Sequence, residues 1–404
     1  MGIITLSNDA LPLTGIRILE FTHAVMGPAA GLVLADLGAE VIRVEPAPDG
    51  DPTRRLKGFG TGYYTFYNRN KKSISVNLKT DDGHEVIEKL IATADILIEN
   101  FGPGTMDRLN LGYDDATKIN PRLVYCSLKG FLSGPYEKRP ALDEVVQMMS
   151  GLAYMTGTPG QPLRAGASVV DIMGGTFGAL AALVALRERD LTGQGQFVKN
   201  GLFETAAFIM GQHMTYSAIS QEVVPPMPAR VSAWAVYRIF ETADGEAVFI
   251  GITSDRHWAQ FCDVFGREDL FADERLTTNR DRITERDRLL PELERFFVQM
   301  TKTEIIAKCD EAGIPFAPIS RTEDLFDDPQ LNAGRGLLPV TLADGRVTHL
   351  PRLPIEIGDY DLGLQANAPE VGEHSRALLD ELGYDDDQIE KMIASEAIAA
   401  HSPK

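Results

Sequence analysis

Short apolar runs alternate with amphipathic stretches along the first third of the chain. Runs typical of buried strands occupy residues 15–21, 40–45, 73–78, 95–100 and 123–128. Stretches with helical periodicity lie between them, at residues 27–37, 81–94 and 113–119. This alternation of strand and helix predicts an α/β domain with a parallel sheet covered by helices.

The pattern changes after about residue 200. The Pro-rich segment 225–228 is typical of a linker, and residues 235–252 predict a β-hairpin that turns at Asp244-Gly245. Helical patterns follow at residues 255–265, 284–299 and 302–312. We therefore predict a large domain over residues 1–200, a linker over 201–230 and a small α+β domain over 231–330.

The composition is that of a globular chain with a marked acidic balance. The 404 residues are 44% hydrophobic and 24% charged, and their net charge is −19. Residues 1–140 hold 16 Lys and Arg against 17 Asp and Glu, whereas the rest hold 23 against 41. Nucleic acid and anionic membranes are therefore not expected as partners. An anionic small ligand is expected on the N-terminal part.

Cysteine usage and the apolar segments predict a cytoplasmic protein that does not enter a membrane. Cys126, Cys262 and Cys309 form no CxxC pair, which indicates a reducing compartment and no zinc site. The first ten residues lack the basic and apolar regions of a signal peptide. The apolar helix expected after Asp171 ends near Arg187, after about four turns, which is too short to span a bilayer.

Polar and glycine-bearing segments follow three of the predicted strands, at residues 22–28, 100–108 and 129–131. Ligands of parallel sheets bind outside the carboxyl ends of the strands, so these segments are the first site candidates. No GxGxxG motif follows the first strand, and the sequence contains neither GxxxxGKS nor GxxxxGKT. A dinucleotide or a nucleoside triphosphate is therefore not the expected ligand.

Asp171 lies in a run of small residues, 164–178, at the predicted start of a long apolar helix. A carboxylate in this place can cap the helix by accepting backbone N–H groups, and it can also be a nucleophile that the same groups keep ionised. Gly174, Gly175 and Gly178 follow on the helix. They allow either close approach of a ligand or tight packing against a neighbouring helix, and both interpretations stay open at this point.

Several short motifs occur in an order that identifies a family. They are LTGIRILEFTH at 13–23, LGAEVIRVE at 37–45, NRNKKS at 68–73, ENFGPG at 99–104 with MDR at 106–108, and TGQGQ at 192–196. Together they resemble the class III CoA-transferases, of the formyl-CoA transferase and CaiB/BaiF type, from about residue 13 to residue 375. The resemblance implies a large Rossmann-like domain, a smaller α+β domain that covers the active site, and a segment, 331–404, that returns to the large domain. It also implies a homodimer of two interlocked chains.

By that resemblance, Asp171 falls on the catalytic aspartate of the family. Such a carboxylate attacks the acyl-CoA carbonyl to give an aspartyl anhydride, which CoA converts to an aspartyl-CoA thioester before the acceptor acid attacks. Asp143 falls on an acidic position that supports acyl transfer, although it also precedes a predicted helix that it could cap. The scheme implies no metal and no tightly bound cofactor, because coenzyme A and acyl-CoA enter as substrates together with a carboxylic acid.

The resemblance also implies a path for CoA along the sheet edge. Lys72 belongs to a basic cluster with Arg69 and Lys71 that could attract an anionic ligand. His23 and Arg230 are further candidates, the first near the thioester and the second for the acceptor carboxylate. The positions that fall on CoA-lining or CoA-contacting residues of the family are Asn100, Phe101, Gly102, Arg108 and the segment from Val76 to Lys79.

Departures from the family pattern bear on the identity of the acceptor acid. Val25 stands where the family often has a glutamine beside the thioester, and Pro46 stands where it often has an arginine. Pro140 replaces an expected basic residue, although Lys138 and Arg139 adjoin it. The glycine-rich lid of formyl-CoA transferases has no counterpart around residues 225–234. These departures argue against oxalate as the acceptor. The breadth of the family, rather than these residues, implies a C4–C5 or methyl-branched dicarboxylate, in inter- or intramolecular transfer.

Two alternatives remain open beside the transferase. The α-methylacyl-CoA racemases share the fold but need a proton-transferring histidine where this chain has Leu142, and leucine cannot move a proton. A non-catalytic acyl-CoA-binding protein would hold the thioester without forming a covalent adduct. The residues favour the transferase.

Overall fold

The computed structural model describes residues 10–230 and 232–401. The chain divides into a larger unit, made of Met1–Ala229 and Asn332–Lys404, and a smaller unit, Arg230–Leu331. Residues 1–9, which carry most of the segment predicted not to be a signal peptide, lie outside the described residues. Arg230, a candidate for the acceptor carboxylate, is the first residue of the smaller unit.

Six parallel strands form the centre of the larger unit: β1 (Arg17–Phe21), β2 (Glu40–Pro46), β3 (Lys71–Val76), β4 (Ile96–Glu99), β5 (Val124–Lys129) and β6 (Phe197–Gly201). Their order across the sheet is β3-β2-β1-β4-β5-β6. The first five confirm the strands predicted from apolar runs. The sequence does not predict β6, because this edge strand reads Phe-Val-Lys-Asn-Gly and lacks a continuous apolar run.

Helices cover both faces of this sheet. Those that precede the smaller unit are α1 (Met26–Asp36), α2 (Tyr63–Tyr67), α3 (Asp81–Thr93), α4 (Thr105–Arg108), α5 (Tyr113–Ile119), α6 (Asp143–Met149), α7 (Leu152–Thr156), α8 (Val169–Thr192), α9 (Leu202–Ile209) and α10 (Gly211–Ser220). The core splits accordingly: Ile18 of β1 packs with α1, α8 and α9, whereas Leu19 and Phe21 pack with α3 and α5. Alternate side chains of one strand therefore fill two separate layers.

Helix α8 is longer than predicted, with 24 residues, and it is long and apolar enough to cross a membrane by length and composition alone. The prediction of a helix too short for a bilayer was therefore wrong. The helix continues past Arg187 to Thr192, and Arg189 in this extension pairs with Asp95 at 2.7 Å. A core helix of a soluble protein passes the same test of length and composition, and α8 packs against α1, β5 and β6.

The glycines of α8 make this packing possible. A Cβ atom on Gly175 would lie 2.6 Å from the carbonyl oxygen of Met26 in α1, and one on Gly178 would lie 2.5 Å from the side chain of Leu128. A Cβ on Gly174 would meet the Met26 side chain at 2.8 Å. The interpretation of these glycines as packing positions is therefore supported by their surroundings.

The smaller unit combines a three-stranded antiparallel sheet with helices. The sheet has the order β7 (Val236–Glu241), β8 (Ala247–Ile252), β9 (Phe316–Pro318), and the helices are α11 (Asp255–Phe265), α12 (Glu268–Phe271), α13 (Asn279–Thr284), α14 (Arg286–Phe297) and α15 (Lys302–Ala312). The predicted hairpin is confirmed, and Gly245 at its turn has a φ of 73°. Helix α13 is an addition to the prediction, and a capping box at Thr278 starts it.

The C-terminal segment returns to the larger unit, as the family resemblance implies. After α16 (Pro329–Ala333), a hairpin of β10 (Leu337–Thr341) and β11 (Val347–Pro351) leads to α17 (Ser375–Glu381), α18 (Asp386–Ala394) and β12 (Ile398–Ala399). Strand β12 pairs antiparallel with β3 and extends the sheet to seven strands. Leu378 and Ile389 pack into the same core layer as α3.

Candidate active site

The carboxyl ends of β1 and β4 lie side by side at the point where the strand order reverses. Asn100, which follows β4, joins the loops after these two strands. Its side-chain oxygen accepts a hydrogen bond from the His23 N–H at 2.9 Å, and its amide nitrogen donates one to the His23 carbonyl at 3.0 Å. A crevice at such a switch point is the usual ligand site of open α/β sheets.

Two cavities open at this edge of the sheet, with volumes of about 680 and 840 Å³. His23, Ala24 and Phe101 line both of them. The His23 and Phe101 rings are stacked, with centroids 5.9 Å apart and planes inclined by 15°, and burial lowers the pKa of His23. The two cavities therefore share one wall.

Most of the candidate site residues are brought together here. Val76, Lys79 and Phe101 line the larger cavity, which we call the outer cavity. The smaller cavity, which we call the inner cavity, is lined by Val25, Asn100, Phe101, Gly102, Arg108, Asp143 and Asp171.

Lys72 is the exception among the candidates. It lies near the amino end of β3, where its ammonium group pairs with Glu40 at the start of β2, and it lines neither cavity. The other cations of its cluster are buried and paired, Arg69 with Asp36 at 2.6 Å and Lys71 with Glu20 at 2.7 Å. This position removes Lys72 from the candidate site, because parallel strands place their carboxyl ends at the opposite edge.

Asp171 is the third residue of α8 and is half-buried in the wall of the inner cavity. In the described part of the chain, its carboxylate has no hydrogen bond or ion pair. Burial and, to a lesser extent, the nearby Asp143 carboxylate raise the pKa of Asp171 to about 7, while Arg164 opposes the shift. The predictions that Asp171 caps its helix and that helix N–H groups keep it ionised are therefore wrong, because another residue binds those groups.

That residue is Asp143, the first residue of α6 and a buried side chain. Its Oδ2 accepts hydrogen bonds from the Val170 and Asp171 N–H groups at 3.0 and 3.1 Å, so it caps α8 rather than the helix it begins. Its Oδ1 accepts from Gln147 Nε2 at 2.6 Å and from Arg164 Nη2 at 3.1 Å. One carboxylate thus fixes the start of the helix that carries the other.

Several further side chains line the inner cavity without having been singled out from the sequence. Tyr63 lies on α2, and Arg164 stands in the segment before α8. The Lys138-Arg139 pair beside Pro140 was the sequence signal for positive charge at this place. Lys129, which belongs to the predicted site segment 129–131, also lines the cavity, and its ammonium group pairs with Glu99 at 2.6 Å.

Leu142 lines the inner cavity with a largely exposed apolar side chain, at the position where a racemase of this fold would carry its histidine. Within residues 10–230 and 232–401, no group of three or more His, Cys, Asp and Glu side chains could hold a metal ion. The three cysteines are unpaired and buried.

Comparison with known proteins places this geometry in a family. The model of CoA-transferase family III matches residues 13–375. The succinate–glutarate CoA-transferase of Agrobacterium fabrum is 33% identical over 93% of this chain and 96% of its own length. The acetyl-CoA:oxalate CoA-transferase of Acetobacter aceti is 35% identical over 91% of this chain and 95% of its own length.

A solved structure agrees with these relatives. The CaiB/BaiF family protein of Brucella suis superimposes with a TM-score of 0.82 at 32% identity, covering 93% of this chain and 100% of that one. The chain therefore belongs to CoA-transferase family III and is a CoA-transferase.

Proposed function

We propose that this enzyme transfers CoA from an acyl-CoA to a dicarboxylic acid through covalent intermediates on Asp171. The observation that carries the proposal is the placement of one unpartnered carboxylate in the wall of the inner cavity. A carboxylate that is bound by no cation or donor keeps its lone pairs for attack on a carbonyl carbon.

The proposed sequence begins when an Asp171 oxygen attacks the thioester carbonyl, the C–S bond breaks, and CoA leaves as thiolate. The thiolate then attacks the Asp171 carbonyl carbon, which releases the first acid as a carboxylate and leaves an aspartyl-CoA thioester. The acceptor carboxylate repeats the two steps in reverse and departs as the new acyl-CoA. No step consumes or releases a proton, so the scheme requires no general acid or base.

The inner cavity offers donors for the oxyanion that each attack creates. Helix α1 begins at Met26, and both Val25 and Met26 line the cavity. The first N–H groups of a helix have no partner inside it and carry its positive dipole end. Gly175, one turn after Asp171, packs against the Met26 backbone, so these N–H groups are held close to the reacting carboxylate.

Asp143 favours acylation through its charge. Ionised Asp171 faces a second carboxylate, whereas the anhydride and the thioester of Asp171 are neutral. Acylation therefore removes a repulsion that raises the pKa of free Asp171. The free carboxylate is destabilised relative to its acylated form, which lowers the barrier to forming a reactive anhydride.

The two cavities suit the two ends of CoA. We place the nucleotide in the outer cavity, where Lys79 is exposed, and the pantetheine arm along the stacked His23 and Phe101 rings. The thioester then reaches the inner cavity and Asp171. Arg108 adds a cation without a carboxylate partner in the described part of the chain.

The acceptor in this proposal is a C4–C5 or methyl-branched dicarboxylate, in inter- or intramolecular transfer. Lys138 and Arg139 line the inner cavity and form no ion pair among the described residues, so they are available to a distal carboxylate. The relative from Agrobacterium fabrum acts on succinate and glutarate by its name. The relative from Acetobacter aceti is named for oxalate, which makes acceptor length the property to measure.

A cytosolic homodimer completes the proposal. Leu180, Val184 and Phe208 on α8 and α9 expose 55, 60 and 73% of their surface. Large exposed apolar side chains grouped on neighbouring helices are typical of a subunit interface. Unpaired buried cysteines suit a reducing compartment.

The test is to trap the covalent intermediate. The enzyme is incubated with succinyl-CoA, quenched with hydroxylamine or borohydride, and searched by mass spectrometry for modification at Asp171. We expect an adduct in the native enzyme, and Asp171→Asn should lose at least about 1,000-fold in turnover. A panel of C2 to C6 acids then ranks the acceptors.

Asp190→Asn is the matched control, since it makes the same exchange at the exposed far end of α8. It should keep both the adduct and the rate. Full turnover by Asp171→Asn, with no adduct in the native enzyme, would rule out the covalent mechanism.

A further inference from the structure

Gln147 is a fully buried side chain that is not part of the inner cavity wall. Its amide makes two hydrogen bonds: Nε2 donates to Asp143 Oδ1 at 2.6 Å, and Oε1 accepts from the Ala165 N–H at 2.9 Å. Ala165 lies in the segment that leads into α8. One side chain of α6 therefore ties Asp143 to the chain that precedes Asp171.

The Asp143 carboxylate is fully engaged by this arrangement. Four donors reach its two oxygens: the Val170 and Asp171 N–H groups, the Gln147 amide and Arg164. A carboxylate offers about four lone-pair sites, so none is left for a substrate. These hydrogen bonds fix the orientation of the Asp143 carboxylate. The shortest of them is the one that the buried Gln147 amide donates, at 2.6 Å.

We propose that Gln147 is a positioning residue for CoA transfer, which holds Asp143 in the orientation that caps α8 and thereby sets the place of the Asp171 carboxylate. This inference rests on the proposed role of Asp171 as the group that is acylated. Without the amide, Asp143 can rotate away from the Val170 and Asp171 N–H groups. The first turn of α8 then loses its cap, and Asp171 moves relative to the thioester.

The charged and titratable groups around Asp171 come from several elements. Asp143 faces it from α6, Arg164 from the segment before α8, and Tyr67 from α2. His23 and Tyr63 line the same cavity. Among these groups Gln147 contacts only Asp143, so its removal acts on Asp171 through Asp143 and through the freed Ala165 N–H in the segment before α8.

Two substitutions test the role. Gln147→Met keeps the length of the side chain and removes both hydrogen bonds, so kcat should fall by about 10- to 100-fold. The KM for succinyl-CoA should stay within about twofold, because Gln147 does not line the cavity. Unchanged kcat in Gln147→Met would overturn the inference.

Gln147→Glu supplies a readout that a purely structural role would not move. In its protonated form, the introduced acid reproduces both hydrogen bonds, whereas in its ionised form it cannot donate and repels Asp143. We expect a descending limb of kcat at alkaline pH that the native enzyme lacks, with melting curves recorded at each pH to show that the protein remains folded. A pH profile identical to that of the native enzyme would contradict the inference.

Gln194→Glu is the matched control, since it makes the same exchange at an exposed loop position of the same unit; its profile should equal that of the native enzyme. If Gln147→Met does not fold, the near-isosteric Gln147→Glu decides the question through its alkaline limb. Failure to trap any adduct in the native enzyme would instead contradict the covalent mechanism at Asp171. The trapping experiment therefore tests the proposed function, and the Gln147 substitutions test the positioning role separately.

Discussion

The two edges of the large sheet differ in how completely their charged side chains are paired, since the carboxyl edge has ion pairs such as Lys129 with Glu99 but also keeps charges without a partner among the described residues. At the amino edge, Arg17 and Lys72 both bind Glu40, and Arg189 binds Asp95. At the carboxyl edge, Lys79 and Arg108 form no ion pair within residues 10–230 and 232–401, and neither does Asp171. Residue types alone do not distinguish these edges. The edge with unsatisfied charge is the one equipped to bind and react.

At the carboxyl edge, the largest loss of kcat is expected when Asp143, the carboxylate with hydrogen-bond partners, is replaced and Asp171, the carboxylate without them, is left in place. Asp143→Ala removes the acceptor of two N–H groups at the start of α8, so kcat should fall by about 100-fold while Asp171 remains present. Steady-state kinetics with succinyl-CoA and glutarate measure the loss.

Asp115→Ala provides the control for this substitution, because Asp115 also lies in the first turn of a helix and pairs with the exposed Lys118. It should leave kcat unchanged. A native rate in Asp143→Ala would show that the capping of α8 does not matter for turnover.

A smaller effect, on the KM for acyl-CoA, should distinguish cations at the carboxyl edge from those at the amino edge. Arg108→Ala and Lys79→Ala should each raise the KM for acyl-CoA by about tenfold, the effect of one lost charged contact. Lys72→Ala is the matched exchange at the amino edge and should leave the KM unchanged. An equal rise in KM at all three positions would mean that the anionic substrate responds to the net charge of the protein and that Arg108 and Lys79 do not contact it.

The smallest effect concerns stability. Folding raises the pKa of Asp171 to about 7, so the ionised group costs stability increasingly as pH rises from its unfolded pKa to its folded one. Asp171→Asn should therefore melt about 2–4 °C above the native protein at pH 8, and the gap should narrow toward pH 5. Calorimetry at the two pH values measures it, and a lower Tm at pH 8 would contradict the raised pKa.

Local sequence patterns were sufficient for the elements whose cores are continuous apolar runs. The predictions agree closely with strands β1 to β5, helices α11 and α15, and the hairpin of β7 and β8. In these elements the buried positions repeat with the period of a strand or a helix, and this repeat is visible in the local sequence. The sequence did not predict the two edge strands, because β6 lacks a continuous apolar run and β12 has only two residues.

Contacts between distant segments account for what the sequence could not reveal at the site. The cap of α8 comes from Asp143, 28 residues before Asp171, and no local motif records that contact. Lys72 was a candidate because it belongs to a basic cluster with Arg69 and Lys71, yet its position near the start of β3 places it at the other edge of the sheet. The Gln147 amide left no signal either, since a glutamine among apolar residues gives no sign of its partners.

The packing of α1 against α8 makes one part of the site intolerant of substitution, whereas another part of the same cavity wall is free of that constraint. Gly174 and Gly175 leave no room for a side chain beside Met26, so variation at the helix pair would displace the reactive carboxylate along with the helix. The segment 133–142 contributes exposed side chains to the same cavity and meets no such constraint. A laboratory that sought to change the acceptor acid should therefore randomise that segment and leave the two helices untouched, because new specificity can be selected there without rebuilding the nucleophile.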